Sequence, residues 1–261
     1  MSAPYAARYA ELYDLFYRDK PYAKEARFIG WVLRKYGIDH GSRILELACG
    51  TGEHAVRLSS SGYSVTASDN SRAMIEIARE KAIRHKAQVT FERRDMRKSS
   101  GPHCVFDAAL CLFDSIGYAQ TDAEIGAVFE GVYKRLRPGG LFVVEFWHSP
   151  AMLREFEPIR VRRFRDGTSR VLRISETALD KRRSLAHVDY NVYRLRVDST
   201  YDHFAERHTN RYFTVLEMGR FARLHGFAPV RDYDGFRPRI VSDRTWHVLS
   251  VWKKADTASQ R

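Results

Sequence analysis

The stretch Arg43-Ile44-Leu45-Glu46-Leu47-Ala48-Cys49-Gly50-Thr51-Gly52-Glu53-His54 decides the fold. A short apolar run carries an acid, a loop of small residues follows, and a helical pattern then begins. That order predicts a strand, a tight turn and a helix N-terminus. Small residues let a ligand approach the backbone closely. The first turn of a helix presents free N–H groups at the positive end of its dipole. A nucleotide-like ligand is the expected occupant.

On the N-terminal side, Tyr5, Tyr9, Tyr13, Phe16 and Tyr17 recur at spacings of three and four, which predicts a helix over 5–18 with one apolar face. Pro21 restarts the chain, and 22–36 reads as a second helix closed by Gly37. On the C-terminal side, predicted strands at 44–47, 63–68, 89–92, 105–112 and 141–147 alternate with helices at 52–60, 72–85 and 122–136. Ser71 is the expected N-cap of the helix at 72–85, and Pro138-Gly139-Gly140 is expected to stop the one at 122–136. This alternation is the signature of an α/β protein with a parallel sheet covered on both faces.

The pattern changes at 158–214. Runs at 160–165, 170–178, 184–197 and 204–213 alternate polar and apolar residues, with Asp166-Gly167 and Asp180-Lys181 as turn signals. An antiparallel insertion is expected there. A helix at 214–224 and strands at 227–233 and 247–251 follow, then a tail over 255–261 that reads as frayed.

Composition narrows the class. Of 261 residues, 44% are hydrophobic and 29% charged, as in a globular protein. Cys49, Cys104 and Cys111 form no CxxC pair, which fits a reducing cytoplasm. No run reaches the roughly 20 apolar residues that span a bilayer, and Met1 to Lys20 holds no apolar signal segment. A net charge of +12, concentrated at 160–165 and 181–183, raises the question of nucleic acid. No basic tail or recognition motif accompanies it, so the expected partner is a small molecule, with grip on phosphate as one use of the arginines.

Gly50-Thr-Gly52-Glu-His-Ala55 fits the dinucleotide pattern G-x-G-x-x-G/A. Alone, that leaves a nicotinamide site and an S-adenosylmethionine site open. Three further features bear on the choice. Glu46 precedes the loop, where a carboxylate can face a cationic ligand. Asp95-Met96 follows the third strand, where an adenine amine needs an acceptor and an apolar cover. Pro138-Gly-Gly140 precedes the fifth strand.

With those residues in view, the chain resembles the class I S-adenosylmethionine-dependent methyltransferases. Glu46-x-Ala48-x-Gly50-x-Gly52 looks like their first motif, Asp69 like their ribose-binding acid, and Asp95-Met96 like their adenine-edge pair. Phe106-Asp107 to Phe113 looks like the fourth-strand motif, and Leu136-Arg-Pro-Gly-Gly140 like the turn before strand five. The resemblance covers roughly residues 8–251. It implies a Rossmann-like doubly wound, seven-stranded, mostly parallel sheet, with the antiparallel insertion after strand five. Ala48 departs from the family's usual glycine, and we expect the turn to avoid a positive φ there. Tyr13-Asp-Leu-Phe-Tyr17, Tyr22-Ala-Lys-Glu-Ala26, Ala48-Cys-Gly-Thr-Gly52, Gly117-Tyr118 and Glu145-Phe-Trp147 are similar, more narrowly, to dTDP-amino-sugar N-methyltransferases, which implies a dimethylamino-sugar product.

The resemblance organises the chain as a helical cap of the active site (1–40), a cofactor-binding core (41–157 and 215–254), a substrate-side insertion (158–214) and the tail. S-adenosyl-L-methionine is the implied cofactor, and no metal is expected. Tyr17, Glu46, Ala48, Cys49, Gly50, Gly52, Asp69, Asn70, Asp95, Met96, Leu112 and Phe113 are its expected contacts. Tyr22, Trp147, His148, Arg162, Arg173 and His208 are expected around the acceptor. Arg162, Arg163 and Arg173 can pair with a diphosphate, because guanidinium presents paired donors to phosphate oxygens. His148 is the candidate proton acceptor, and Tyr17 a candidate positioning residue.

Transfer from a sulfonium is a direct displacement, so alignment matters most and a dedicated base is optional. The rivals are an RNA methyltransferase using the basic insertion, a nicotinamide oxidoreductase, another small-molecule acceptor, and a non-catalytic binding protein. A homodimer is left open.

Overall fold

The computed structural model describes residues 5, 7–98 and 105–255. In chain order, α1 (Ala7–Phe16) and α2 (Tyr22–Lys35) precede β1 (Arg43–Leu47), α3 (Glu53–Ser60), β2 (Ser64–Asp69), α4 (Arg72–Arg84) and β3 (Val89–Arg93). Then come β4 (Phe106–Cys111), α5 (Asp122–Arg135), β5 (Leu136–Trp147) and α6 (Ser149–Arg154). Four strands follow, β6 (Ile159–Asp166), β7 (Ser169–Asp180), β8 (Leu185–Leu195) and β9 (Tyr201–Arg211). The described chain ends in α7 (Val215–Leu224), β10 (Phe227–Asp234) and β11 (His247–Lys254).

Seven strands form one sheet in the order β10-β11-β5-β4-β1-β2-β3. The neighbours from β5 to β3 are parallel, and β11 alone runs the other way, between β5 and β10. The fold is therefore α/β with a mostly parallel sheet. Side chains alternate across a strand, so successive residues feed different cores. Ile44, Leu110 and Val143 pack with Ile29, Leu33, Val56 and Ile75 beneath α2, α3 and α4. Leu45, Ala109 and Phe142 pack with Ile125, Phe129 and Phe221 beneath α5 and α7. With both faces covered, the central strands have no polar face, which is why their sequences read as apolar runs.

β6 to β9 make a separate four-stranded antiparallel sheet, as the alternation at 158–214 predicts. Gly167 and Thr168 form its first tight turn, with Asp166 paired to Ser169. α1 ties the two sheets together. Tyr9 and Phe16 pack among Met74 of α4 and Phe164, Val171 and Val192 of the second sheet.

Caps follow the sequence. The Ser71 hydroxyl accepts from the Met74 N–H, Thr214 caps α7, and Thr121 and Glu124 form a reciprocal capping box at α5. One boundary differs. α5 ends at Arg135, and β5 begins at Leu136 rather than 141, running through Pro138-Gly139-Gly140. Arg137 precedes a proline and is pushed toward extended backbone. Its guanidinium meets Asp107 at 2.5 Å and Leu136 pairs with Phe106, so the segment leading into the proline joins the sheet beside β4. Two short elements, the 3-10 turn Ser115–Tyr118 and α6, have no periodic signal in the sequence. The expected tail over 255–261 lies, apart from Ala255, outside the described residues.

The expectation for Ala48 is overturned: its φ is +49°. The chain must turn sharply at the end of β1 to pass beneath the cavity described below, and the alanine adopts the left-handed conformation to do so. An L-residue there costs about 1–2 kcal/mol, while glycine loses about 0.5–1 kcal/mol to its freer unfolded state. Ala48→Gly is therefore expected to raise stability modestly, by about 0.5–1 kcal/mol in urea denaturation.

Candidate active site

The chain runs from β1 to β2 and β3 on one side of the sheet, then to β4 and β5 on the other. A crevice opens at such a switch point, beyond the carboxyl ends of β1 and β4, and ligands of open α/β sheets bind there. A cavity of about 480 Å³ occupies that place. The β1 loop forms its floor. Gly50 has φ +55° and donates its N–H to Asp69 Oδ2 at 2.9 Å, while the Ser71 N–H reaches Asp69 Oδ1 at 2.8 Å. Asp69 thus fixes the loop from the end of β2 and keeps lone pairs free toward the cavity.

Of the residues expected at the cofactor, Glu46, Ala48, Cys49 and Gly50 line this cavity from β1. Asp69 and Asn70 line it from β2, Asp95 and Met96 from the end of β3, and Leu112 and Phe113 from the end of β4. Gly52 does not. It sits under the loop with φ +75°, where a Cβ would lie 3.0 Å from Ala78 and 3.2 Å from Phe91. Its part is to let α3 and α4 approach the sheet. Asp95 is already engaged: Arg97 Nη2 lies 2.8 Å from its Oδ2, and that guanidinium holds the carboxyl below its ordinary range.

Glu46 is the outlying group. It is 2% exposed, and its Oε2 has no hydrogen-bond partner. Burial, with the Asp69 charge nearby, raises its carboxyl to about 8. An acid whose folded value lies above its unfolded value contributes stability that is fully present below about 4.5 and lost as pH rises through about 8. The ligand-free protein should therefore lose stability between about pH 4.5 and 8, by up to about 1.4 kcal/mol per pH unit. Glu46→Gln should flatten that slope in thermal melts. The cavity as a whole fits a nucleoside carrying a cationic amino-acid tail: an unpartnered buried carboxyl at one end, a glycine floor, and a second acid on the neighbouring strand.

A second cavity, of about 900 Å³, shares Phe113 with the first. Tyr17, Lys20, Arg162, Phe236, Trp246 and His247 give it a cationic and aromatic lining, with Glu145 buried in its wall. Glu145 accepts from the Phe113 N–H at 2.6 Å. His247 Nδ1 stands 3.1 Å from its other oxygen, off the hydrogen-bonding direction. Burial alone would raise Glu145, but His247, Lys20 and the Phe113 N–H outweigh it and hold the carboxyl at about 2.

Several expected acceptor residues stand elsewhere. Tyr17 lines the second cavity and not the first, edge-on to Phe113 at 5.0 Å. Tyr22 lines the first cavity, beside His54. Arg162 alone of the named arginines reaches the second. Arg163 is exposed on β6. Arg173 is neither solvent-facing nor at a cavity wall. β7 is an interior strand, and the side chain is buried among Phe16, Tyr17, Phe164 and Tyr190, 4.7–5.8 Å from their rings. His208 is buried on Glu206 (2.9 Å) and Tyr118 (2.7 Å).

His148 lines neither cavity. It is 5% exposed, its Nδ1 faces the Thr245 carbonyl at 3.1 Å, and burial lowers its pKa. Trp147 donates its N–H to Asp114 and packs its ring near Met152, Ala186 and Tyr212. The sequence reading missed Lys20, Glu25, His54, Glu145 and His247. Glu25 and Glu145 fall within stretches quoted above for the narrower resemblance, and His54 stands two residues after Gly52, while Lys20 and His247 carried no local signal. Among the described residues, no group of three or more His, Cys, Asp or Glu side chains could hold a metal ion, and no helix is long and apolar enough to cross a membrane.

Residues 44–140 match the family described as a methyltransferase domain. The chain is 31% identical over 222 residues to a dTDP-3-amino-3,6-dideoxy-alpha-D-glucopyranose N,N-dimethyltransferase of Streptomyces fradiae, covering 84% of this chain and 83% of that one. Its fold is similar to a crystal structure of an S-adenosylmethionine-dependent methyltransferase from Clostridium acetobutylicum, with a TM-score of 0.81 and 20% identity over 95% of this chain and 98% of that chain. It is also similar to an S-adenosylmethionine-bound amino pentose methyltransferase from Micromonospora echinaspora, with a TM-score of 0.73 and 22% identity over 98% and 100% of the two chains.

Proposed function

The chain belongs to the S-adenosylmethionine-dependent methyltransferases and acts on a small molecule, and from that premise we propose that it N-methylates the amino group of a nucleotide-linked amino sugar. The observation that carries this reading is the second cavity, cationic and aromatic, joined to the first at Phe113. Arginine and lysine suit a diphosphate, and rings of the Trp246 and Phe236 kind suit a base or a sugar face. The named substrate of the Streptomyces fradiae relative is of that chemistry.

In this reading the first cavity holds the cofactor. Asp69 accepts the ribose hydroxyls, Asp95 and Met96 flank the adenine, the Gly50 loop lies under the amino-acid tail, and Glu46 meets its ammonium. Bound there, S-adenosylmethionine supplies a methyl group already activated on a sulfonium. The protein's own work is alignment and charge. Phe113 and Tyr17 stand where the two ligands meet and exclude water from the line of transfer. An amine must be neutral to attack. Lys20 and Arg162 disfavour a further positive charge beside them, which favours the neutral amine without a dedicated base. His148, buried on a carbonyl away from both cavities, has no catalytic part in this reading.

The N-terminal segment is the proposed cap. Asp14 of α1 accepts the Thr51 hydroxyl at 2.6 Å, and Tyr5 and Tyr13 line the first cavity. Four arginines of the insertion, Arg160, Arg194, Arg196 and Arg207, each pair with a neighbouring acid, which lessens their pull on RNA. The test is a methyl-transfer screen of nucleotide-linked amino sugars, other small amines and RNA, read by mass spectrometry. Mono- and dimethylated amino sugars are the expected products. Methylation of RNA alone would overturn the proposal.

A further inference from the structure

Between the two cavities runs a file of four buried charged or titratable side chains. Glu46 lines the first cavity, and its Oε1 lies 3.9 Å from His54 Nδ1. His54 Nε2 lies 2.9 Å from Glu25 Oε2. The same Glu25 oxygen pairs with Lys20, whose ammonium also sits 4.6 Å from the Tyr22 and Phe113 rings. Lys20 and Glu25 line the second cavity. Every link is at most 11% exposed. Nothing in methyl transfer itself requires such a file.

We propose that His54 takes up the proton Glu46 loses when the cofactor's ammonium settles against it, so that the charge change of binding stays inside the protein and is relayed through Glu25 to Lys20. This rests on the reading that Glu46 meets that ammonium. The step balances. The O–H bond of the Glu46 carboxyl breaks, an N–H bond forms at His54 Nδ1, and the products are a carboxylate facing the ammonium and an imidazolium. The gap of 3.9 Å is closed by rotation of the carboxyl or by one bridging water.

The surroundings favour this. Toward His54, α2 presents the Glu25 carboxylate and the Tyr22 ring, β1 presents Glu46, and Phe236 stacks at 6.4 Å. Asp69 stands behind Glu46 from β2. The nearest lysine of α4, Lys81, is taken by Asp14 and Glu53. An imidazolium here lies between two carboxylates, whereas an ionised Glu46 beside a neutral His54 has only the ligand for company. Glu25, bridging His54 and Lys20, then faces two cations. In this way occupancy of the cofactor cavity reaches the lysine at the acceptor's cavity.

The test counts protons. S-adenosylhomocysteine, which keeps the ammonium, is titrated into the protein by calorimetry at pH 7 in two buffers of different protonation enthalpy. The wild type should release almost no proton. His54→Gln should release about 0.9, the protonated fraction at pH 7 of a carboxyl titrating at about 8. Adding Glu46→Gln to His54→Gln should return the count to near zero. Should the variants fold poorly, ring-labelled histidine in the wild type decides, because its nitrogens should move to the imidazolium position on titration. A wild type that releases the same proton as His54→Gln, or a ring that stays neutral while the ligand binds, overturns the relay. Failure of S-adenosylhomocysteine to bind the wild type at all would instead overturn the placement of the cofactor, and the relay with it.

Discussion

Replacing Asp69 with alanine is expected to weaken S-adenosylhomocysteine binding by about 100-fold or more. Two hydrogen bonds from ribose hydroxyls to a carboxylate contribute about 1.5 kcal/mol each at the low end, and about 1.4 kcal/mol is tenfold in affinity. The same substitution removes the acceptor for the Gly50 and Ser71 N–H groups, which lie 2.9 and 2.8 Å from it. Both donors then face a cavity without a partner, and the loop loses its anchor to β2. Burial already raises the Asp69 pKa, and those two N–H groups oppose that rise. Asp69→Asn keeps one acceptor oxygen and should lose less. Calorimetric titration of each variant measures the effect, and a loss below tenfold in the alanine variant would place the ribose elsewhere.

Glu145→Ala should act on the other side. Its carboxylate holds the Phe113 N–H at 2.6 Å, and Phe113 and Asp114 both have φ +55°. Two successive left-handed residues persist only where the surroundings over-determine them. Removing Glu145 leaves the Phe113 N–H without its acceptor, a loss of about 1–3 kcal/mol for a buried donor, so the melting temperature should fall. Once Phe113 shifts, the acceptor is misplaced, and a displacement of about 1 Å can cost 100-fold in rate. The expected signature is kcat/KM down about 100-fold with cofactor affinity changed less than about threefold. Equal losses in both would mean that the substitution damages the whole site.

The lining of the first cavity was largely legible because it is local. Each of Glu46, Asp69, Asp95 and Phe113 falls at or just after the end of a strand, and strand ends can be read from apolar runs. Their convergence follows from a parallel sheet, which brings all carboxyl ends to one edge. The backbone of Ala48 was not legible, since residue type argues against the conformation the turn imposes. The lining of the second was harder. Lys20, Glu145, Arg162 and the pair Trp246-His247 are far apart in sequence and come from four separate stretches. No periodicity reports such a meeting. Arg173 shows the same limit: alternation says that it points opposite to its neighbours, not which face α1 will cover. His148 misled because its place just past β5 is right for a ligand, while its ring turns to the Thr245 carbonyl.

The position of β11 sets an order of events during synthesis. β10 emerges from the ribosome before β11, yet touches the rest of the sheet only through it. Until residues 247–254 arrive, the growing chain can assemble five strands and leave β5 with an open edge. The first cavity is built from residues 5–120 and can take shape on that partial sheet. Thr245, Trp246 and His247 reach the second cavity only with the last strand. A nascent chain would thus acquire its first cavity well before its second.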